Sequence, residues 1–273
     1  MQNEFNIRRR ALVLGLGSLP LACLATAAIA APAPLNLIEA INQAGRQRML
    51  SQRLAKLYAQ QLRGVRESDA RKLTGDSMQI FETQMEALRL TALARNAPEI
   101  VATYEKMSAL WSDYRAVISA RPGEEGLKRV AQLNEQVLAS AQQGTVQFEK
   151  LNGSSLGKLV NVAGRQRMLS QRMSKFYFFI ASGMDSTDMR KGLDSARTDF
   201  VSAMQLLRAA PENTKDTQSW LKLADMQWML FDDALMRSAK EGDHGYLESN
   251  VATSSENILQ VMDKLTELYA RLG

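Results

Sequence analysis

Residues 44–53 read AGRQRMLSQR, and residues 163–172 read AGRQRMLSQR again. The two copies of this ten-residue motif start 119 residues apart. A helical core requires only apolar side chains of about the right size, so identity over a run with three arginines indicates more than a shared fold. A repeat of this length also indicates a duplicated structural unit.

Each copy of the motif is predicted to lie in a helix, because Ala, Met, Leu, Gln and Arg favour helices and no proline interrupts it. At 100° per residue, one side of each helix, the small face, collects small and polar residues, and the opposite side is apolar. The small face holds Ile41, Ala44, Gly45, Arg48, Gln52 and Ala55 in the first copy, and Val160, Ala163, Gly164, Arg167, Gln171 and Ser174 in the second. The apolar side holds Leu50, Leu54 and Leu57 in the first copy, and Leu169 and Met173 in the second.

The small faces are expected to contact each other. Glycine inside a helix costs about 1 kcal/mol relative to alanine, and close packing of two backbones would offset that cost. Such packing would bring Arg48 and Arg167 together near a pseudo-two-fold axis. Two guanidinium groups in a dry interface require a counter-charge, which a small planar anion can supply through bidentate hydrogen bonds.

The alternative is that each of these two arginines pairs with Glu or Asp on a neighbouring helix. The two possibilities are distinguished by whether the guanidinium groups approach one another or find carboxylate partners. Arg46 and Arg53 lie away from the small face. They are interpreted as members of surface or interhelical ion pairs.

The rest of the chain also repeats, although more weakly. Phe200 and Met204 match Phe81 and Met85 at the same offset of 119, and residues 251 and 258 match residues 130 and 137 at an offset of 121. Apolar residues recur at helical spacing between short turns, and no stretch alternates as a strand would. The sequence therefore predicts an all-α fold of two tandem antiparallel four-helix bundles packed about a pseudo-two-fold axis.

The predicted boundaries are a signal peptide at residues 1–30, a first four-helix unit at residues 31–152 and a second unit at residues 153–273. The signal peptide has three arginines at residues 8–10, an apolar run at residues 11–29 and a small-x-small cleavage site that ends at Ala30. Both a Sec signal and a twin-arginine signal fit these residues, and an uncleaved anchor is a further alternative. We therefore expect export to the periplasm.

The composition of residues 31–273 argues against several functions. Cys23 is the only cysteine of the chain, so thiol chemistry and disulfides are excluded after cleavage. These residues have 31 basic and 28 acidic side chains, a net charge of +3, without a basic run that would bind nucleic acid. The single histidine, His244, lies in a predicted turn at residues 242–245, and no catalytic or metal-binding spacing appears. We expect neither an enzyme nor a metal or cofactor site.

The repeated motif resembles that of the N-terminal domain of type IV pili methyl-accepting chemotaxis transducers, the PilJ type. It is also similar to the periplasmic domain of the nitrate/nitrite sensor kinases NarX and NarQ, whose motif has the form AGSLRMQSYR. The resemblance implies that each unit is a four-helix bundle and that two facing motif helices hold one nitrate. The contacts in that family come from the motif arginine before Met and from backbone near the motif glycine. By match, these are Gly45, Arg48, Gly164 and Arg167, so one chain would hold both halves of a site that the kinases build from two subunits.

Two functions follow from the residues and the resemblance together. The first is a periplasmic module that binds or senses a small anion such as nitrate or nitrite. Its candidate ligand-binding residues are Gly45, Arg48, Gln52, Gly164, Arg167 and Gln171. The alternative is a ligand-free helical scaffold or adaptor that contacts a membrane receptor, a chemotaxis protein or a type IV pilus component.

Overall fold

The computed structural model describes residues 33–238 and 244–273, and the predicted signal peptide, Cys23, the cleavage site at Ala30 and residues 242–243 of the predicted last turn lie outside them. All regular secondary structure in the described residues is helical, which confirms the predicted all-α class. The helices are α1 (Leu37–Leu62), α2 (Glu67–Ala94), α3 (Pro98–Ser119), α4 (Glu124–Asn152), α5 (Ser155–Ala181), α6 (Thr187–Arg208), α7 (Lys215–Ser238) and α8 (His244–Ala270). No helix in this part of the chain combines the length and apolarity that crossing a membrane requires.

The junction between α4 and α5 is a sharp break rather than a continuous helix. Gly153 follows the last residue of α4 with φ +69°, the left-handed conformation that glycine adopts at helix ends. Ser154 then caps α5, because its side chain accepts a hydrogen bond from the backbone N–H of Gly157 at 3.0 Å. The chain therefore reverses at residues 153–154 and begins its second copy of the motif helix.

The two motif helices, α1 and α5, lie at the centre of the fold. The most extensive packing in the described residues is between α1 and α5. On their other sides, α1 packs against α4 and α2, and α5 packs against α8 and α6. The first four helices and the last four therefore follow the same packing order, and their apolar side chains form one continuous core.

An aromatic pair occurs at equivalent places in the two halves. Phe81 on α2 stacks on Trp111 of α3 with ring centroids 4.2 Å apart. Phe200 on α6 stacks on Trp228 of α7 in the same way, at 4.5 Å. The weak sequence repeat outside the motif therefore corresponds to repeated side-chain packing.

Candidate functional site

The small faces of α1 and α5 meet at their glycines. A Cβ atom added to Gly45 would lie 3.9 Å from the Cα of Gly164, 3.2 Å from Nη2 of Arg48 and 3.4 Å from Nη2 of Arg167. A Cβ atom added to Gly164 would lie 3.1 Å from Nη2 of Arg167 and 3.6 Å from Nη2 of Arg48. Both guanidinium groups therefore lie over the glycine pair, and we call these four residues the two-arginine cluster.

The cluster takes two positive charges out of water. Arg48 and Arg167 have exposed fractions of 1% and 0%, and they are the largest fully buried side chains among the described residues. Burial lowers the pKa of Arg48 to about 9, and the charges of Arg167 and Arg165 also lower it. Burial lowers the pKa of Arg167 as well, although the negative charge of Asp263 opposes this shift. The interface thus holds cations at an electrostatic cost.

Arg48 is held by neutral oxygen atoms. Its Nη1 donates to Oε1 of Gln142 on α4 at 2.7 Å, and its Nη2 donates to Oδ1 of Asn161 on α5 at 2.7 Å. Its Nε is buried without a hydrogen-bond partner. The nearest acidic group in this network is Glu149, which accepts a hydrogen bond from the amide of Asn161 rather than from the guanidinium. Across residues 33–238 and 244–273, no carboxylate forms an ion pair with Arg48.

Arg167 is held by a carboxylate. Its Nη1 donates to Oδ1 of Asp263 on α8 at 2.7 Å, and its Nη2 donates to the backbone oxygen of Asn42 on α1 at 3.0 Å. The same Oδ1 accepts a hydrogen bond from Nη2 of Arg46 at 2.7 Å. Burial acts to raise the pKa of Asp263, but the two arginines outweigh it and lower that pKa, so the carboxylate is ionised.

The two environments are related by the internal repeat. Asn42 and Asn161 are 119 residues apart, as the two motif copies are. Gln142 and Asp263 are 121 residues apart, the offset that relates the apolar residues of α4 and α8. The Nη1 atom of each arginine therefore donates a hydrogen bond to a residue at an equivalent position. That residue is an amide, Gln142, for Arg48 and a carboxylate, Asp263, for Arg167.

The motif glutamines lie beside the cluster and bind other helices. Gln52 donates from Nε2 to Oδ1 of Asn134 on α4 at 3.0 Å. Gln171 donates from Nε2 to the backbone oxygen of Ser255 on α8 at 2.9 Å, and its Oε1 is buried without a partner. Of the six candidate residues, the structure brings together the two glycines and the two arginines. Gln52 and Gln171 each connect their motif helix to the last helix of the same half, and Gln52 also accepts a hydrogen bond from Nη1 of Arg172 on α5 at 3.4 Å.

Four further charged residues of the motif helices pair across the halves. Arg53 and Lys56 of α1 both bind Glu256 of α8, with Lys56 Nζ at 2.5 Å from Oε1. The interpretation of Arg46 and Arg53 as interhelical ion pairs is therefore confirmed.

The equivalent cluster joins α5 to α4. Lys175 Nζ lies 2.6 Å from Oε1 of Glu135, and Arg172 also binds this carboxylate, at 3.1 Å. Burial lowers the pKa of Lys175 to about 8. Neither lysine nor its glutamate partner was identified from the sequence as part of an ion pair. They could have been found, because the lysines repeat at offset 119 and the glutamates at offset 121.

The pairing of the motif helices agrees with a family match. A family model for the N-terminal domain of type IV pili methyl-accepting chemotaxis transducers, PilJ, matches residues 35–147 and 152–227. The chain belongs to the PilJ family. The two matched segments start beside α1 and α5, so each PilJ segment opens with a motif helix. Comparison with curated proteins and with solved structures gave no match.

PilJ membership gives the general class of function. PilJ is the N-terminal domain of a chemotaxis transducer, which indicates a sensing or signalling module rather than an enzyme family. In this PilJ chain, the two motif helices enclose two buried guanidinium groups. One of them has a carboxylate partner, and the other has amide oxygens only.

Proposed function

We propose that this PilJ chain is a periplasmic module that binds or senses a small oxyanion, with nitrate or nitrite as the leading ligand. The anion lies between α1 and α5, against Arg48 and Arg167. The observation that carries this proposal is the fully buried guanidinium of Arg48, which has no ion-pair partner in the described residues. The motif resemblance to nitrate sensors supports the choice of ligand.

The physical reason is the cost of a buried cation. A charge removed from water is strongly destabilising unless a counter-charge compensates it. A planar oxyanion offers that charge and several acceptor oxygens, which suit the parallel N–H groups of a guanidinium. The buried Nε atoms of both arginines have no hydrogen-bond partner, so donors remain available within the cluster.

The approach to Arg48 is through Gln142. The Gln142 side chain is exposed at the surface of α4, whereas the guanidinium that donates to it is buried. An exposed side chain can rotate into solvent at small cost, and its amide oxygen can then be replaced by an oxygen of the ligand. The proposed route therefore starts at the surface of α4, where the ligand takes the place of the Gln142 amide.

The periplasmic location and the receptor context are also part of the proposal. They are supported by the predicted export signal at residues 1–30 and by the family, which is named for the N-terminal domain of a transducer. The expected partner is a membrane receptor or sensor protein that reads the ligand state of the bundle.

The test is a thermal unfolding series of the purified chain in sodium nitrate, sodium nitrite and sodium chloride at equal ionic strength. A ligand at one hundred times its Kd stabilises the folded state by about 2.7 kcal/mol. This corresponds to a rise in Tm of about 5–10 °C for a chain of this size. The double variant Arg48→Gln/Arg167→Gln should lose the rise, and Arg71→Gln, a matched change of an exposed arginine, should keep it.

The alternative is a ligand-free scaffold or adaptor that contacts a membrane receptor, a chemotaxis protein or a type IV pilus component. It is favoured by the ion pair of Arg167 with Asp263 and by the use of motif side chains in packing, such as the 3.2 Å hydrogen bond from Gln47 to the backbone oxygen of Phe81. On this alternative, nitrate, nitrite and chloride give the same unfolding curve at millimolar concentrations. That result would contradict the anion proposal.

A further inference from the structure

We infer that the carboxylate of Asp263 is an internal substitute for the anion, so that the chain binds one anion, on the Arg48 side of the pseudo-two-fold axis. The residues at positions 142 and 263 then determine which arginine binds the ligand. This inference rests on the proposed function and specifies how the site is regulated by its own side chains.

The two sides share two of their arginine contacts and differ in charge at one of them. Gln142 Oε1 and Asp263 Oδ1 each accept a hydrogen bond from an arginine Nη1 at 2.7 Å. On both sides, the Nη2 donates to the backbone oxygen of the equivalent asparagine, Asn161 at 3.3 Å and Asn42 at 3.0 Å. Arg48 has one further neutral acceptor, Oδ1 of Asn161 at 2.7 Å. The difference in charge lies in the acceptor of Nη1, which is an amide oxygen for Arg48 and a carboxylate oxygen for Arg167.

Asp263 offers what an oxyanion would offer. Its Oδ1 accepts hydrogen bonds from Nη1 of Arg167 and from Nη2 of Arg46, so one oxygen bridges two guanidinium groups. The carboxylate is partly shielded, with a side-chain exposure of 32%. A dissolved anion that approached Arg167 would have to displace an ionised group that is covalently held in place. It therefore competes at a large disadvantage in effective concentration.

The Arg48 side has no such competitor. Gln142 is uncharged and exposed. The arginine equivalent to Arg46 is Arg165, which pairs with Asp199 on α6 at 2.7 Å and so does not bring a carboxylate to position 142. Glu149 contacts Arg48 only indirectly, because its carboxylate accepts a hydrogen bond from Asn161, which in turn accepts one from Arg48. The charge near Arg48 is thus left for a mobile anion to neutralise.

The test uses three variants that change charge without changing shape. Gln142→Glu puts a carboxylate where the amide already meets Arg48, Asp263→Asn removes the carboxylate from Arg167, and the double variant exchanges the two. Binding of sodium nitrate is measured by calorimetry and by the shift in Tm against sodium chloride. The wild-type chain should bind one nitrate per chain.

The three variants should respectively weaken nitrate binding, strengthen it and move it from Arg48 to Arg167. Gln142→Glu should weaken nitrate binding at least tenfold, and Asp263→Asn should strengthen it. The double variant should bind nitrate again, with its dependence on the arginines reversed. Arg48→Gln should abolish binding in the wild-type background, and Arg167→Gln should abolish it in the exchanged background.

Two controls make the same changes in net charge as the two single variants, but at exposed positions away from the cluster. Gln136→Glu lies on α4, as position 142 does, and Asp233→Asn removes an exposed carboxylate of α7. Neither should change nitrate binding more than twofold. A larger change in either control would show that net charge alone accounts for the effect and would overturn the inference.

The outcomes separate this inference from the function on which it rests. Nitrate binding that is equal in the wild type and in Gln142→Glu overturns the inference and leaves the proposed function standing. Nitrate binding in Asp263→Asn alone overturns the function of the wild-type chain but supports the blocking role of Asp263. Absence of binding in all four chains overturns both.

Discussion

Arg48 and Arg167 are the same residue of the same ten-residue motif, yet their charges are compensated differently. Each lies over the glycine pair and donates to an asparagine of the facing helix. Only Arg167 reaches a carboxylate, because α8 carries Asp263 where α4 carries Gln142. The motif therefore fixes where the guanidinium groups lie, and the helices behind it decide how much positive charge remains.

The lysine clusters differ less between the halves. Lys56 and Lys175 are both buried and both paired with a glutamate of the opposite half. Their surroundings differ in exposure, since the side chain of Glu256 is 18% exposed and that of Glu135 is 46% exposed. The two halves therefore differ in charge at the two-arginine cluster and only in exposure at the lysines.

The largest expected effect comes from removing the more buried glutamate. Glu256→Gln leaves Lys56 and Arg53 without their carboxylate, and breaking such a buried pair costs about 3–5 kcal/mol. Glu135→Gln should cost less than half as much, because Glu135 is the more exposed carboxylate and water screens its attraction to Lys175 and Arg172. Urea unfolding of both variants measures the free energies of unfolding. Equal losses would show that the two clusters are equivalent after all.

The next effect is the dependence of stability on acid. Burial alone would raise the pKa of Glu256, but Lys56 and Arg53 lower it to about 2. Its ordinary value is 4.5, so the unfolded chain binds the proton first as the pH falls. The contribution of Glu256, on the order of 3 kcal/mol, is present above pH 4.5 and is lost between pH 4.5 and 2.

Unfolding at a series of pH values, in the wild type and in Glu256→Gln, measures this contribution. The free energy of unfolding of the wild type should fall more steeply than that of the variant across the acid range. Parallel curves would contradict the assignment of the acid sensitivity to this carboxylate. Glu135→Gln serves as the comparison, because the pKa of Glu135 is also lowered, by Lys175 and Arg172 against the effect of burial.

A smaller effect tests whether the two sides of the glycine contact are equivalent. Gly45→Ala places a methyl group 3.2 Å from Nη2 of Arg48, and Gly164→Ala places one 3.1 Å from Nη2 of Arg167. Each guanidinium must shift, at a cost of about 1–3 kcal/mol, which the better helix propensity of alanine offsets by about 1 kcal/mol. Both variants should have a lower Tm than the wild type in thermal unfolding. Because Asp263 anchors Arg167, Gly164→Ala should be the more destabilised of the two.

The matched control is Gly75→Ala. Gly75 lies inside α2 with no atom within 4 Å of an added Cβ, so its replacement meets no neighbour. It should stabilise the chain by up to about 1 kcal/mol through helix propensity alone. If Gly45→Ala changed the stability with the same sign and size as Gly75→Ala, the arginines would be able to shift freely. The glycines would then not be required for the contact.

The sequence predicted the geometry of the cluster better than its charge. Small residues and a single arginine on one helical face were enough to predict that α1 and α5 meet there. The choice between an anion and an ion pair stayed open, because the partners of Nη1 lie on α4 and α8, whose rotation the motif does not determine. The ion-pair alternative holds for Arg167 and not for Arg48. The division into units at residues 31–152 and 153–273 and the periplasmic location remain predictions.

The turn at residues 153–154 has a consequence for how the interface can change. In a dimer of identical subunits, every substitution occurs on both sides of the axis. Here the two copies lie in one chain, so a substitution can change one copy of the repeat and leave the other unchanged. A covalently joined pair can thus be asymmetric across its interface, whereas two identical subunits present the same residues on both sides of the axis.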